Sequence, residues 1–180
     1  LAVPPGFHAR HRASARTYHY RILTGVQPPS VFEQRTVWHI KEHLDVMEMS
    51  KAASMLEGDH DFSSFRASGC VSKSPQRTLD ELSVRVTDGG GQWDPSSSTP
   101  SLSATRQCIL ITARARSFLY HQVRMMVGVL KAVGTGHVQP SAIPGILNKR
   151  SPTALPCKMA APSGLFLARV HYDGAGVDEP

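Results

Sequence analysis

The segment SFLYHQVRMMVGVLKAVG, residues 117–134, has the pattern of a helix that packs on a hydrophobic core. Its apolar residues recur every three or four positions, which is the period of one helix face. The residues of this stripe are Leu119, Val123, Met126, Leu130 and Val133. Ser117 precedes the stripe and is of a type that caps helix N-termini. The pattern therefore predicts a core helix over 117–134.

One cation, Arg124, lies among the apolar residues of this helix. Leaving a buried charge without its partner costs about 3–5 kcal/mol, so an inward-facing Arg124 needs a polar or anionic partner. The sequence contains no Asp or Glu between Pro95 and Tyr172. Two interpretations stay open at this point: a surface arginine whose stem covers apolar groups, or an arginine that serves a functional site.

Strand patterns and further helices surround this segment. Strands are predicted at 16–24, 79–87, 106–115 and 165–172, and helices at 44–58, capped by Asp45, and at 141–148. The segment 58–70 has the composition of a polar loop with two aromatic residues. Because the strands and helices do not alternate regularly, we expect an α+β fold with a mostly antiparallel mixed sheet flanked by helices.

We expect residues 1–180 to form one unit with a single insertion. The insertion, at 88–104, is rich in Gly, Ser and Pro and is expected to be disordered, because its composition cannot bury a core. The chain has 41% hydrophobic residues, which is sufficient for a core of its own.

The positive charge is concentrated in two acid-poor regions. The chain has a net charge of +6, and residues 101–180 hold nine Lys/Arg against three Asp/Glu. Residues 1–32 contain no acidic residue. Such regions suit a polyanion such as nucleic acid, although a basic charge also aids solubility, and charge alone leaves both open.

Several classes of protein find no support in the sequence. The three cysteines have no CxxC spacing, which favours a reducing, intracellular setting, in the nucleus or, slightly favoured, the mitochondrion. No apolar run approaches the roughly 18 residues of a membrane span, and no signal peptide is visible. GxSxG and GxGxxG motifs are absent, and His39 and His43 precede the predicted helix without a third metal ligand. We therefore expect no metal and no nucleotide cofactor.

Tyr18 is an ambiguous candidate for an RNA contact. It lies on a predicted strand beside Arg16 and could stack on an unpaired base, an interaction worth about 1–3 kcal/mol. It could equally be an ordinary core aromatic. Phe65 and Arg66 are ambiguous in the same way.

Four segments together resemble the TruA-type tRNA pseudouridine synthases. SARTYHYRI (14–22) resembles a strand with an R-x-Y-x-Y pattern, and GDHDFSSFRASGC (58–70) resembles the family's G-x-x-D-F-x-S-F-R-A segment. RARSFLYHQVRMMVGVLKAVG (114–134) resembles its F-x-x-H-Q/M-V-R-x-x-V-G helix, and APSGLFLARVHY (161–172) its last strand. The segments follow the family's order, and the vertebrate pseudouridylate synthase-like branch is the most similar.

The resemblance implies a reaction and a set of roles. The family isomerises uridine to pseudouridine in tRNA, without a cofactor, and tends to form homodimers; the anticodon arm is the expected target. By resemblance, Tyr18 packs on the target base, Arg124 pairs with the catalytic aspartate, and Leu165 closes the uracil pocket. The resemblance also places four residues in the cleft or on the RNA surface: Arg16, Phe65, Arg66 and His121.

The nucleophilic aspartate of the family is missing from this sequence. In the family it lies in an R-T-D-A-G-V-H segment before the R-x-Y-x-Y strand, and no such segment occurs here. We therefore expect the partner of Arg124 to lie upstream of Leu1, and this chain alone to be inactive. The alternatives are a non-catalytic RNA-binding module and a half that stabilises a dimer.

Overall fold

The computed structural model describes residues 3, 5–87 and 106–172. Its strands are β1 (Ala15–Thr24), β2 (Trp38–Ile40), β3 (Gly58–Asp61), β4 (Gln76–Thr87), β5 (Cys108–Ala115) and β6 (Leu165–His171). Its α-helices are α1 (Val46–Ser54), α2 (Gln122–Gly134) and α3 (Ile143–Asn148). The predicted α+β fold is confirmed, whereas the predicted insertion at 88–104 lies outside the described residues.

Strand β1 is the centre of the sheet. The strands follow the order β2-β1-β5-β4-β3, and β6 also pairs with β1. One edge of β1 pairs with β5, and the other edge is shared by β6, opposite Ala15–Tyr20, and by β2, opposite Ile22–Thr24. The sheet is mostly antiparallel, as expected; β2, a strand not predicted from the sequence, pairs with β1 in parallel. The first and last described strands are therefore neighbours.

Helix α2 is buried almost all round rather than along one stripe. Of its thirteen residues, Arg124 and Lys131 are the two that are not buried. Glycines permit the close contacts: a Cβ on Gly128 would lie 2.4 Å from the carbonyl oxygen of Lys158, and one on Gly134 would lie 2.7 Å from Sδ of Met49 in α1. A helix that is buried on nearly every face belongs in the interior, and α2 fills that role here.

Helix α2 begins later than predicted. It starts at Gln122, so the predicted start at residue 117, with Ser117 as cap, is wrong. The Oε1 of Gln122 accepts a hydrogen bond from the main-chain N–H of Leu119 at 2.8 Å, and this bond closes a turn. His121 then has a left-handed φ of 61°, which an α-helix cannot continue through. Residues 117–121 therefore form an irregular approach to the helix.

The segment 58–70 also differs from its prediction. Instead of a polar loop it forms β3 and a short 3₁₀ turn, Ser63–Phe65. The turn directs Phe62 and Phe65 into the core, where both are fully buried. In contrast, the prediction for α1 holds at its start, because Oδ1 of Asp45 accepts a hydrogen bond from the N–H of Glu48 at 3.0 Å.

None of the described helices is long and apolar enough to cross a lipid bilayer.

Candidate active site

Arg124 is anchored to the segment that precedes β6. Its Nε donates to the carbonyl oxygen of Ala160 at 2.9 Å, and the N–H of Ala160 donates to the carbonyl oxygen of Arg124 at 3.1 Å. The side chain is half-buried. This pair of bonds fixes the direction of the guanidinium and leaves its outer nitrogens available.

Tyr20 fixes the same segment one residue further along. Its hydroxyl donates to the carbonyl oxygen of Ala161 at 2.5 Å, and its ring is fully buried. A Cβ on Gly164 would lie 2.8 Å from the Tyr20 ring, so the segment passes directly over the phenol. Burial raises the pKa of Tyr20 well above its usual value, and the charge of Arg124 offsets part of that rise. Tyr20 is therefore a neutral hydrogen-bond donor, and its bond to Ala161 adjoins the bond of Arg124 to Ala160.

Leu165 reaches the same place from β6. It is the residue of β6 that pairs with Tyr20 of β1, and it is half-buried against the core. The resemblance gave Leu165 a place beside the uracil, and that role stays a prediction. What the structure does bring together is Leu165, Tyr20 and Arg124, around residues 160–165.

Tyr18 lies two residues before Tyr20, on the same face of β1. Its ring makes a T-shaped contact with Phe118, with the ring centroids 5.2 Å apart. The β1–β6 register shifts between Thr17 and Tyr18, so that Ala168 bulges out of the ladder at this point. Tyr18 is half-buried, and its hydroxyl makes no hydrogen bond with the part of the chain that the structure describes. A flat ring with one free polar atom suits a planar ligand, and the base contact of Tyr18 stays a prediction.

Arg124 has no carboxylate partner among residues 5–87 and 106–172. The ion pairs of these residues join Lys51 to Glu48, Arg106 to Glu33, Lys131 to Glu42 and Arg150 to Asp61. The described aspartates have other contacts or other positions: Asp45 caps α1, Asp61 pairs with Arg150, Asp59 bonds Thr78, and Asp80 is exposed on β4. The remaining aspartates, Asp88, Asp94, Asp173 and Asp178, lie outside the described residues. The aspartate expected for Arg124 therefore stays a prediction.

Phe65 requires a correction. Its side chain is fully buried and packs edge-on against Phe62, with centroids 5.9 Å apart. A ring that is enclosed on all sides cannot contact RNA, so the predicted RNA contact of Phe65 is wrong in this structure. Its place in the shared motif has a packing reason instead.

The three remaining candidates lie near the start of α2 or the loop beside it. Arg66 donates from one nitrogen to the carbonyl oxygens of Cys70 and Ser72, at 3.0 and 2.5 Å. Arg16 donates to the carbonyl oxygens of Arg116 and Arg10, at 2.6 and 2.8 Å. Both are half-buried and hold loops in place.

His121 occupies the position just before α2 and stacks on Tyr120, with ring centroids 3.7 Å apart. Its left-handed backbone is a strained conformation of a kind often found at functional sites. RNA binding by Arg16, Arg66 and His121 stays a prediction.

The roles of Tyr20 and Phe118 were not predicted from the sequence. The hydrogen bond from Tyr20 to Ala161 joins residues 141 positions apart, which no local pattern encodes. Phe118 lies in one of the family motifs, but its contact with Tyr18 depends on the turn before α2. Among the described residues, no group of three or more His, Cys, Asp or Glu side chains could hold a metal ion.

Comparison with known proteins identifies the family. A sequence model described as tRNA pseudouridine synthase matches residues 52–173. The tRNA pseudouridine synthase-like 1 of Mus musculus is 41% identical over 179 residues, which cover 97% of this chain and 60% of that protein. The tRNA pseudouridine synthase A of Methylobacterium nodulans is 40% identical over 179 residues, covering 99% of this chain and 62% of that protein.

The corresponding protein of Xenopus laevis, also named tRNA pseudouridine synthase-like 1, is 40% identical over 181 residues, which cover 97% of this chain and 58% of that protein. The chain thus spans about 60% of the length of the curated relatives it matches. The family match extends from α1 to the end of the described residues and includes both Arg124 and Leu165. The resemblance seen in the four sequence segments is confirmed: this chain belongs to the tRNA pseudouridine synthase family.

Proposed function

We propose that the protein to which this chain belongs isomerises uridine to pseudouridine in tRNA, with the anticodon arm as the expected target. In this reaction the C1′–N1 bond of the nucleotide breaks and a C1′–C5 bond forms. The proton lost from C5 is balanced by one gained at N1, so no oxidant, reductant or co-substrate is consumed. The family assignment and the names of the relatives support this proposal.

The observation that carries the proposal is the state of Arg124. It is half-buried, directed by Ala160, and has no carboxylate partner in the described residues, while Tyr18 presents a ring nearby on β1. An arginine held in this way is ready to pair with a carboxylate, and its guanidinium geometry suits bidentate contact. In the proposal, that carboxylate is the nucleophilic aspartate expected from the family, supplied by residues outside this sequence.

In this proposal Tyr18, Leu165 and Arg124 each have a role in the reaction. The base of the target uridine leaves its stack and packs on Tyr18, with Leu165 closing the other side. Arg124 orients the aspartate and keeps it ionised, because a neighbouring positive charge lowers the pKa of a carboxyl group. The aspartate either attacks C1′ as the C1′–N1 bond breaks or stabilises the sugar intermediate that this cleavage leaves. The detached uracil turns between Tyr18 and Leu165, and C5 then bonds to C1′ while any aspartate–C1′ bond breaks.

A second candidate function is a non-catalytic RNA-binding module. The observation that favours it is that each described aspartate caps a helix, pairs with another side chain or lies elsewhere, so that the described residues offer Arg124 no nucleophile. Such a module would keep the basic residues and Tyr18 but leave uridine unchanged.

An assay for pseudouridine separates the two candidates. Transcribed tRNA is incubated either with the 180-residue chain or with the protein that includes the encoded residues before Leu1, and pseudouridine is then mapped. We expect conversion only with the longer protein. Conversion by the 180-residue chain alone would disprove the missing-nucleophile account, and no conversion by either would favour the binding module.

Two further proposals concern the setting of the protein. We propose a compartment that keeps thiols reduced, the mitochondrion in preference to the nucleus, and a homodimeric state. Support for the first comes from the three cysteines, which are all unpaired thiols, and from the basic charge. The homodimer rests on the resemblance alone. Cell fractionation and sedimentation analysis test these two proposals.

A further inference from the structure

An open cavity of ≈ 330 Å³ lies beside the Tyr18–Phe118 pair. Phe118 belongs to both places, since it lines the cavity and also contacts the Tyr18 ring. Ligand pockets in proteins start at about this size, so the space suits one small group rather than an extended segment. The cavity is also lined by Arg10, Cys70, Ser72, Arg77 and Tyr120.

The cavity is positively charged. Arg10 and Arg77 contribute two cations, and no Asp or Glu lines it. Arg77 donates to the carbonyl oxygens of Ser74 and Gln76 and to the hydroxyl of Ser72, all of which are uncharged groups. Its Nε is buried and has no partner in the described part of the chain. The charge of Arg77 is therefore not neutralised by the protein, and an anion would neutralise it.

The walls of this cavity are fixed before any ligand arrives. Arg66 binds the carbonyl oxygens of Cys70 and Ser72, which form one wall. Arg16 binds the carbonyl oxygen of Arg10, which forms another. Two arginines that the sequence assigned to the RNA surface thus hold the cavity in shape. A site that is ordered in advance loses less freedom on binding.

Tyr120 supplies an aromatic surface at the mouth of the cavity. It is 53% exposed, and it is stacked on His121. Bases stack on such exposed rings whatever their identity, because every base has a π face. The cavity therefore combines cations for a phosphate with a ring for a base.

We propose that this cavity binds a second nucleotide of the RNA, next to the one held at Tyr18, with its phosphate at Arg10 and Arg77 and its base on Tyr120. The inference rests on the proposed function, because it takes RNA as the ligand. It adds a binding site to that function: a flanking nucleotide is held in the unstacked, single-stranded form while its neighbour reacts.

The first test compares two exposed arginines in the full-length protein. Arg10→Gln removes a cation from the cavity, and Arg85→Gln removes one from β4, outside the cavity lining. Affinity for bulk tRNA is measured against salt concentration, because removing one phosphate contact lowers the slope of log K against log [salt] by about 0.7 for single strands. We expect Arg10→Gln to weaken binding by threefold to tenfold with this change in slope. Equal slopes for the two variants would overturn the proposal.

The second test uses Cys70 as a reporter of the cavity. Alkylation of Cys70 by iodoacetamide is followed on the peptide 67–73, and alkylation of Cys157, which does not line the cavity, on the peptide 151–158. Bulk tRNA should slow alkylation of Cys70 at least fivefold and leave Cys157 unchanged. Inorganic phosphate at the same ionic strength should slow Cys70 less, because it offers no base to Tyr120. Unchanged alkylation of Cys70 under saturating tRNA would overturn the proposal.

A Tyr120→Leu variant completes the set and separates this proposal from the proposed function. It keeps an apolar residue but no π face, so we expect a weaker tRNA effect on Cys70 and a higher KM with little change in kcat. If the parent protein forms pseudouridine while Arg10→Gln and Tyr120→Leu leave both KM and the Cys70 result unchanged, the cavity proposal fails and the function stands. If the parent protein forms no pseudouridine but tRNA still protects Cys70, the function fails and the cavity remains a nucleotide site.

Discussion

Four arginines near the start of α2 and the loop at 66–77 bind only uncharged oxygens, whereas four cations elsewhere in the described residues pair with carboxylates. The first group, here called the carbonyl-bound arginines, consists of Arg16, Arg66, Arg77 and Arg124. The second, the carboxylate-paired cations, consists of Lys51, Arg106, Lys131 and Arg150. A carbonyl oxygen orients a guanidinium but leaves its charge in place, and a carboxylate cancels it. This difference indicates that the two groups have different roles. The carbonyl-bound arginines keep their positive charge for an external anion, whereas the carboxylate-paired cations do not.

The largest expected effect comes from comparing a substitution of one carbonyl-bound arginine with a substitution of one carboxylate-paired cation. In the full-length protein, Arg124→Gln should lower kcat for pseudouridine formation at least about a hundredfold, because loss of a charge partner costs about 3–5 kcal/mol and each 1.4 kcal/mol is a factor of ten. Arg106→Gln breaks an exposed pair worth about 0–1 kcal/mol and should leave kcat unchanged. Circular dichroism checks that both variants fold. A kcat for Arg124→Gln within threefold of the parent would remove Arg124 from the site.

A second pair of substitutions, both at Tyr18, separates the effect of its ring from the effect of its hydroxyl. Tyr18→Ala removes the ring that contacts Phe118 and should cost about 1–3 kcal/mol of RNA binding, or roughly tenfold to a hundredfold in kcat/KM. Tyr18→Phe keeps the ring and removes the free hydroxyl, so it should retain binding and alter only kcat. Equal and mild effects of both variants would make Tyr18 an ordinary core aromatic.

A third comparison concerns the support beneath Arg124. Gly128→Ala places a methyl group against the carbonyl oxygen of Lys158, two residues before the Ala160 anchor, and should lower the free energy of unfolding by about 1–3 kcal/mol. Gly145→Ala, inside α3, meets nothing within 4 Å and should raise it by up to about 1 kcal/mol. Urea denaturation of both variants measures the contrast. A Gly128→Ala protein as stable as the parent would mean that the 158–160 segment yields easily.

The smallest expected effect is a difference between Cys70 and Cys157 in how the rate of thiol alkylation depends on pH. Burial opposes ionisation of Cys70, but main-chain hydrogen bonds from Tyr120 and Ser72 and the charge of Arg66 outweigh it, so the pKa of Cys70 lies below its usual value. Burial raises the pKa of Cys157, with partial compensation by Lys131. Because alkylation follows the thiolate, its rate for Cys70 should rise at a lower pH than its rate for Cys157.

The matched variant for this measurement is Arg66→Gln, which should move the Cys70 profile toward higher pH and leave that of Cys157 in place. Superimposable profiles of the two thiols in the parent protein would show that Arg66 retains no effective charge at Cys70.

Local chemistry explains which parts of the fold the sequence predicted. The cap at Asp45 and the extended conformation of β1 are encoded within a few residues, and both occur in the structure. The start of α2 is not encoded in this way, because it depends on the side chain of Gln122 closing a turn on Leu119. Phe65 was misassigned because a short aromatic segment can face either solvent or core, and only the 3₁₀ turn decides which.

The candidate site also combines features that local sequence encodes with features that depend on distant contacts. The motifs identified Tyr18, Arg124 and Leu165, and the structure places each of them near residues 160–165 or the adjoining part of β1. They did not indicate that Ala160 anchors Arg124 through a carbonyl group, because any residue there has that group. Nor did they indicate the cavity, which residues from three distant stretches of the chain line together.

The pairing of the first described strand with the last has a consequence for synthesis. During translation, β1 and α2 leave the ribosome well before residues 160–171, so the anchor of Arg124 and one edge partner of β1 are made later than the elements they join. Until then that edge exposes unpaired main-chain groups that other chains can join. A nascent chain that stalls or terminates before Ala160 would thus lack the anchor of Arg124 and be prone to aggregate, whatever the quality of its core.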